Sequence, residues 1–291
     1  MYPSRPAPFA YHRAASVAEA VRLLAELGDA RPLAGGHSLL PAMKLRLSTP
    51  AALVDIGRIP GLDAIEADGD ALRIGALARH ADVAASEDVR RAARALAEAA
   101  SLIGDRQVRN RGTIGGSLAH ADPGADYPTV VRALGATIAA AGSGGEREIA
   151  ADELFRGLFT TALEPGELVT AVRVPAARPG DGSAYVKHPH PASGYAVAAA
   201  AACVSLEGGA CTRARLVVGG VAGAPVDATA AAASLVGAPP SANAVAEAAA
   251  GVPELLDGAI GDAYASAGYR RHLASVLARR ALALAFERAA A

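Results

Sequence analysis

Two double-glycine segments are the part of this chain best suited to bind an anion: Ala34-Gly35-Gly36-His37-Ser38 and Thr113-Ile114-Gly115-Gly116-Ser117. Glycine tolerates a positive φ and, lacking a Cβ, lets another group approach the backbone closely. Consecutive N–H groups in such a turn form a concave nest for an anion, to which Ser38, Thr113 and Ser117 add hydroxyl donors. A pyrophosphate carries charge on two phosphates, so two such nests can share it.

The alternative for each segment is a tight connection between two structural elements. An apolar or β-branched approach and a small hydroxyl residue after the glycines favour the binding interpretation. Neither segment matches the G-x-G-x-x-G fingerprint of a Rossmann fold or a Walker loop. A third cluster, Gly142-Ser143-Gly144-Gly145, is predicted to be an ordinary hairpin turn.

Longer stretches around both segments, residues 33–41 and 107–123, resemble the two FAD-binding signatures of the flavoprotein (medium) subunits of molybdenum hydroxylases. This is the family of carbon monoxide dehydrogenase and xanthine dehydrogenase. Weaker resemblances follow in the same order at residues 161–169, 216–221 and 269–273.

The resemblance implies an α+β fold in which a two-part FAD-binding domain of the two-loop, vanillyl-alcohol-oxidase-like type precedes a smaller α+β domain. We expect the FAD-binding domain over residues 1–175, with subdomains of about 1–57 and 58–175, and the C-terminal domain over residues 183–291. Residues 176–182, which are rich in proline and glycine, are predicted to be a linker.

Periodicity and capping signals predict the elements that position these segments. Ser16-Val17-Ala18-Glu19 is a capping box that opens a helix ending at Gly28. A strand is expected at residues 52–56 and a helix at residues 89–101. Farther on, we expect an antiparallel pair of strands at 196–205 and 212–218, and helices at 244–250 and 269–288.

The resemblance also implies which residues hold the cofactor. The two pyrophosphate-binding loops correspond to Leu33, Ala34, Gly35, Gly36, His37, Ser38, Leu39 and Leu40, and to Thr113, Ile114, Gly115, Gly116 and Ser117. Four further positions match family residues near the flavin, namely Ile103, Asp126, Tyr185 and Lys187.

These four residues have distinct expected roles. Ile103 matches a side chain that covers the flavin ring, Tyr185 an aromatic on the flavin side, and Asp126 an acceptor for ligand N–H or O–H groups. Lys187 is expected to stabilise negative charge at N1 or C2=O of the flavin. The alternatives are a core isoleucine, a buried tyrosine, a turn or cap carboxylate and a solvated lysine.

One loop departs from the family pattern. Many relatives carry a basic run leading to Gly-Asp-aromatic after the position of Lys187, whereas this chain has His188-Pro189-His190-Pro191 and Gly194 in place of the aspartate. We therefore transfer no electron acceptor from the family. The two histidines are either an acid–base pair or solvent-exposed loop residues.

Composition excludes several classes of protein. A net charge of −1 in 291 residues provides no basic field for nucleic acid or an anionic membrane. The longest apolar stretch, residues 196–204, is too short to cross a bilayer, and the first residues lack the apolar core of a secretory signal. We expect a cytoplasmic protein.

Metal sites are not predicted. Cys203 and Cys211 are the two cysteines, whereas an iron–sulfur cluster usually takes four thiolates. They are expected to be buried free thiols, the alternative being a functional pair. His120, Asp122 and Asp126 are an alternative ligand set, disfavoured because no closed coordination sphere is evident.

The function implied by the resemblance is that of an FAD-binding electron-transfer subunit, with no catalytic acid or base of its own. Its partners would be a large molybdopterin-binding subunit and a small iron–sulfur subunit in a hetero-oligomer. The alternatives are a self-contained FAD oxidase or reductase, and a non-catalytic nucleotide-binding module that assembles partners.

Overall fold

The computed structural model describes residues 5–291. Residues 1–4 lie outside the described part of the chain. The expectation of a cytoplasmic protein rests partly on these residues. The first group of elements is a parallel three-stranded sheet in the order β1-β3-β2, with two helices. Its elements are β1 (Ala10–Arg13), α1 (Val17–Leu27), β2 (Ala30–Leu33), α2 (Leu39–Lys44) and β3 (Ala52–Asp55).

The predicted capping box fixes the start of α1. Ser16 Oγ accepts from Glu19 N at 3.1 Å, and the Glu19 carboxylate accepts from Ala15 N at 2.7 Å. Gly28 ends the helix, as predicted. The first glycine segment connects β2 to α2, so the sheet and α2 together fix its position.

The second group is a mixed helical and sheet region around an antiparallel five-stranded sheet of order β4-β5-β10-β6-β7. Its elements are β4 (Ile65–Asp68), β5 (Ala71–Gly75), α3 (His80–Ala85), α4 (Glu87–Ala92), α5 (Arg94–Leu102), α6 (Arg106–Arg109), α7 (Ile114–His120), α8 (Asp126–Leu134), β6 (Thr137–Gly142), β7 (Gly145–Ala150), α9 (Ala151–Leu154), β8 (Phe155–Gly157), β9 (Thr160–Thr161) and β10 (Leu168–Pro175).

Two predictions for this group need correction and one is confirmed. The helix expected at 89–101 is divided into α4 and α5, because Ala93 leaves the helical region with φ −153°. The second glycine segment is the first turn of α7, capped by Thr113, rather than a free turn. The hairpin predicted at residues 142–145 joins β6 to β7.

The third group is an antiparallel sheet of order β11-β12-β13-β14 covered by helices. Its elements are β11 (Asp181–Pro189), β12 (Ala196–Glu207), β13 (Ala210–Gly219), β14 (Val226–Asp227), α10 (Thr229–Ala232), α11 (Ala242–Ala250) and α12 (Ala267–Ala289), with short 3₁₀ turns at Ala233–Leu235 and Val252–Leu255. The predicted strand pair and both predicted helices are confirmed, whereas the linker is shorter than expected because β11 begins at Asp181.

The sheet of the third group is buried on both faces. In β12, Ala199, Ala201 and Cys203 pack into the core of the second group, while Ala198 and Ala200 pack toward α12. Alternate strand residues point to opposite faces, and a strand buried on both sides is a continuous apolar run. This explains the alanine-rich stretch at 196–204.

The two cysteines are free and buried, as expected. They belong to opposite sides of the sheet, Cys203 to the core shared with the second group and Cys211 to the core beneath α12. Burial raises the pKa of the Cys203 thiol to about 12. The functional pair considered from the sequence is therefore wrong. Between residues 5 and 291, no helix is long and apolar enough to cross a membrane.

Two-sided burial predicts that enlarging an inner alanine destabilises the protein. Ala200→Leu adds three carbons to a fully buried position facing α12, and overpacking of this kind costs about 1–3 kcal/mol. Denaturant unfolding measures the change, with Ala283→Leu on the exposed side of α12 as control. Equal stability of both variants would contradict burial of this sheet face.

Candidate functional site

A cavity of about 430 Å³ lies where the two glycine segments meet. Twelve of the residues expected from the sequence line it: Leu33, Ala34, Gly35, Gly36, His37, Ser38, Leu39, Ile103, Thr113, Gly115, Gly116 and Ser117. Five do not, namely Leu40, Ile114, Asp126, Tyr185 and Lys187. The structure thus brings both segments to one cavity and places the buried polar residues behind its wall.

The first glycine segment lines the cavity, and its backbone donors are unbonded within the described residues. Among the described residues, none accepts a hydrogen bond from the backbone N–H groups of Gly35, Gly36, His37 or Ser38. Gly36 has φ +74°, the left-handed conformation expected of a nest. Four successive donors without a protein acceptor are suited to an anion with several oxygens.

The second segment differs, because the four N–H groups of Ile114 to Ser117 are already bonded within the protein. Ile114 N donates to Ala78 O at 3.0 Å and Gly115 N to Ala76 O at 2.9 Å. Gly116 N donates to Thr113 Oγ1 at 3.2 Å, and Ser117 N to Thr113 O at 3.0 Å. These four amides therefore already have acceptors, the expected binding role of the segment stays a prediction, and the segment forms one wall of the cavity.

The first segment touches, backbone to backbone, the residues that immediately precede the second segment. A Cβ built on Gly35 would lie 2.1 Å from Arg111 O and 2.8 Å from Gly112 Cα. Both are backbone atoms that a substitution cannot push aside cheaply. Only glycine at position 35 permits this approach, so the absence of one side chain sets the spacing between the two walls.

Apolar side chains form another part of the cavity wall. Ile103 and Val108 contribute from the segment after α5, and Tyr195 contributes from the loop before β12. Tyr195 is 43% exposed, so it lines the cavity and also contacts solvent. The sequence analysis assigned the aromatic role to Tyr185 instead. The sequence does carry a signal for Tyr195, because it occupies the aromatic position of the family's Gly-Asp-aromatic pattern, directly after Gly194.

Asp126, Tyr185 and Lys187 form a buried network behind this wall. The Tyr185 hydroxyl donates to Asp126 Oδ1 at 2.6 Å, and Lys187 Nζ lies 2.8 Å from the same oxygen. Burial raises the pKa of the Asp126 carboxyl, while Lys187 and Tyr185 oppose that shift. Burial, with the Asp126 charge, also raises the pKa of Tyr185.

His80 is a buried residue of the cavity wall that the sequence analysis missed. It is 5% exposed, and its Nδ1 has no hydrogen-bond partner within the part of the chain that the structure describes. Its ring meets that of Tyr127 edge-on at 5.2 Å. Burial, helped by His37 and Arg109, lowers the pKa of His80 to about 4. No local pattern marks a single histidine of this kind.

The alternative metal ligands do not converge. Asp122 Oδ1 accepts from Gly124 N at 2.8 Å, His120 packs against Phe159 at 5.2 Å, and Asp126 is held by Lys187. Residues 5–291 contain no group of three His, Cys, Asp or Glu side chains placed to hold a metal ion. The histidine loop is likewise structural in part, since the His190 ring meets Tyr264 edge-on at 4.4 Å.

The cavity fits a dinucleotide that carries a flat ring. One wall offers unbonded N–H donors for phosphate oxygens, and another offers Ile103 and Tyr195 for an apolar ring. Anions bind well to such backbone donors without any cationic side chain. Both features suit the binding of such a ligand.

Known proteins of the same architecture are dehydrogenase subunits. Residues 7–177 match the family of the FAD binding domain in molybdopterin dehydrogenase, and residues 183–285 match the CO dehydrogenase flavoprotein C-terminal domain. Over 212 residues the chain is 44% identical to the carbon monoxide dehydrogenase medium chain of Afipia carboxidovorans, a match that covers 72% of this chain and 74% of that protein.

Solved structures agree over nearly the whole chain. Carbon monoxide dehydrogenase from Hydrogenophaga pseudoflava, in a form lacking the Mo-pyranopterin moiety, gives a TM-score of 0.94 at 42% identity, covering 98% of this chain and 99% of that one. Quinoline 2-oxidoreductase from Pseudomonas putida 86 gives a TM-score of 0.92 at 34% identity, also covering 98% and 99%.

The buried His80 predicts a specific loss of stability in acid. The unfolded chain takes up a proton near pH 6.5, whereas folded His80 remains neutral down to about pH 4. The free energy of unfolding therefore falls as the pH decreases through this range, and His80 accounts for about 2 kcal/mol between pH 7 and pH 5.

Denaturant unfolding at these two pH values tests this expectation. His80→Gln, which cannot titrate, should lose about 2 kcal/mol less stability than the original protein on acidification. His272→Gln, on the exposed face of α12, is the control and should behave as the original. An equal acid response of His80→Gln and the original would contradict a neutral buried His80.

Proposed function

This chain belongs to the family of FAD-binding flavoprotein subunits of molybdopterin dehydrogenases, and from that premise we propose that it passes electrons through FAD within a larger molybdenum hydroxylase. FAD is its cofactor, and the chain is an oxidoreductase subunit. The proposal concerns the route of the electrons, the partners and the residues that hold the cofactor.

The observation that carries the proposal is the row of unbonded N–H groups at Gly35 to Ser38. We assign the pyrophosphate of FAD to these donors, because they lack acceptors in the described part of the chain and their residues line the same cavity as Ile103 and Tyr195. The flavin ring would then lie against these two side chains. The second segment supports the first through the Gly35 contact and adds the Ser117 hydroxyl.

FAD supplies the relevant redox chemistry, since a flavin accepts electrons singly and releases them as a pair. This chain's residues bind the cofactor, orient its ring and limit the access of water. No side chain is assigned as a catalytic acid or base. This division suits a subunit that transfers electrons and leaves the oxidation of substrate to another chain.

The partners follow from the cysteine content and the relatives. Two cysteines on opposite sides of one sheet cannot hold an iron–sulfur cluster, so the electron donor must lie on another chain. The relatives are named medium chains, and we propose a small iron–sulfur subunit and a large molybdopterin-binding subunit as partners. A cytoplasmic location remains part of this proposal.

Gly35→Ala tests the assignment of the phosphate site. The added methyl group would lie 2.1 Å from Arg111 O, which forces the two segments apart, and we expect FAD affinity to fall at least about tenfold. Equilibrium titration of the FAD-free chain measures the affinity. The matched control is Gly144→Ala at a hairpin tip with no neighbouring atom within 4 Å. Unchanged FAD affinity in Gly35→Ala would contradict the assignment.

Purification with and without partners tests the electron-transfer role. The chain alone should show flavin absorbance but neither cluster absorbance nor hydroxylase activity. Coexpression with the proposed large and small subunits should give a stable hetero-oligomer in which substrate reduces the flavin. Rapid reduction by an organic substrate with this chain alone would instead support a self-contained oxidase, and a chain that assembles but binds no flavin would support an assembly module.

A further inference from the structure

Lys187 on β11 is a buried cation whose contacts join three separate parts of the fold. Its Nζ donates to Leu102 O and to Gly194 O, each at 2.8 Å, and lies 2.8 Å from Asp126 Oδ1. The Lys187 side chain is 2% exposed. An ammonium group has three N–H donors, so these acceptors satisfy it completely and leave no donor for a ligand.

Two of these acceptors immediately precede the residues that flank the apolar part of the cavity. Leu102 is the last residue of α5 and is followed by Ile103, while Gly194 is followed by Tyr195. The two segments also approach each other directly, because a Cβ on Gly194 would lie 3.5 Å from Gly104 Cα. One ammonium therefore bonds to both segments where they meet.

The surroundings keep the Lys187 ammonium in this position. Asp126, the first residue of α8, is 4% exposed and also accepts from the Tyr185 hydroxyl. A charged group removed from water is costly unless it is paired, so Lys187 cannot release its acceptors freely. On the other side of the same turn, Arg109 Nη1 donates to Ile103 O at 2.9 Å and Gly104 O at 3.0 Å.

We propose that Lys187 is a positioning residue that fixes the distance between Ile103 and Tyr195 without touching the flavin. The C-terminal group of elements thereby shapes the cofactor site through one side chain. The inference rests on the proposed function only in placing the flavin ring between these two residues. The bonds of Lys187 are all to protein atoms, so they do not depend on bound FAD.

Hydrogen exchange of the FAD-free full chain tests the structural half of this inference. In Lys187→Met, peptides covering residues 102–104 and 190–195 should exchange at least about tenfold faster than in the original protein. The control is Arg173→Met, which removes a half-exposed ion pair with Asp68. Arg173 lies in β10, away from these segments in sequence, so the exchange rates of both peptides should stay unchanged. Unchanged exchange in Lys187→Met overturns the inference.

Flavin binding tests the functional half. Lys187→Met should weaken FAD binding at least about tenfold and change the visible circular dichroism of the bound flavin, which reports the geometry around the ring. Faster exchange with unchanged affinity and unchanged dichroism would overturn the positioning role. Lost affinity with unchanged exchange would point to direct contact between Lys187 and the flavin.

A second variant covers the case in which Lys187→Met fails to fold. Lys187→Met combined with Asp126→Asn leaves no unpaired buried charge and keeps an acceptor for the Tyr185 hydroxyl, and it should show the same faster exchange and weaker binding. If the original chain binds no FAD at all, the proposed function fails, whereas the exchange result still decides whether Lys187 holds the two segments together.

Discussion

The cofactor site depends on one close approach between two backbones, that of Gly35 to Arg111 and Gly112. Gly35 lies in the connection from β2 to α2, and Arg111 and Gly112 immediately precede the Thr113 cap of α7. Their spacing is set by the absence of a Cβ rather than by an attractive interaction. Because the walls meet backbone to backbone, this contact sets how closely they approach, and the first segment lines the cavity.

The two glycine segments therefore have different roles despite similar sequences. The first leaves four successive N–H groups without acceptors among the described residues, whereas the second uses its N–H groups to attach α7 to the segment that follows β5 and to the Thr113 cap. A buried ion pair plays a comparable supporting role at the apolar part of the cavity. Lys187 and Asp126 lie behind the wall, where they order the segments that carry Ile103 and Tyr195.

Much of the fold and the family followed from the sequence. Local signals such as the Ser16 capping box and the hairpin at residues 142–145 were confirmed, and so were the family and its FAD cofactor. Sequence could not separate residues that touch the cavity from those one layer behind it. Lys187 matches a family position by type, but whether its ammonium faces a ligand or three protein oxygens depends on long-range packing. His80 was missed for the same reason.

Amide resonances of the FAD-free chain titrated with ADP, which carries the pyrophosphate without the flavin, test the central claim most directly. A hydrogen bond to a phosphate oxygen moves an amide proton downfield. The account predicts large downfield shifts at Gly35, Gly36, His37 and Ser38, whose N–H groups lack acceptors among the described residues, and small shifts at the bonded amides of Ile114 to Ser117. Large shifts at the second segment with none at the first would contradict it.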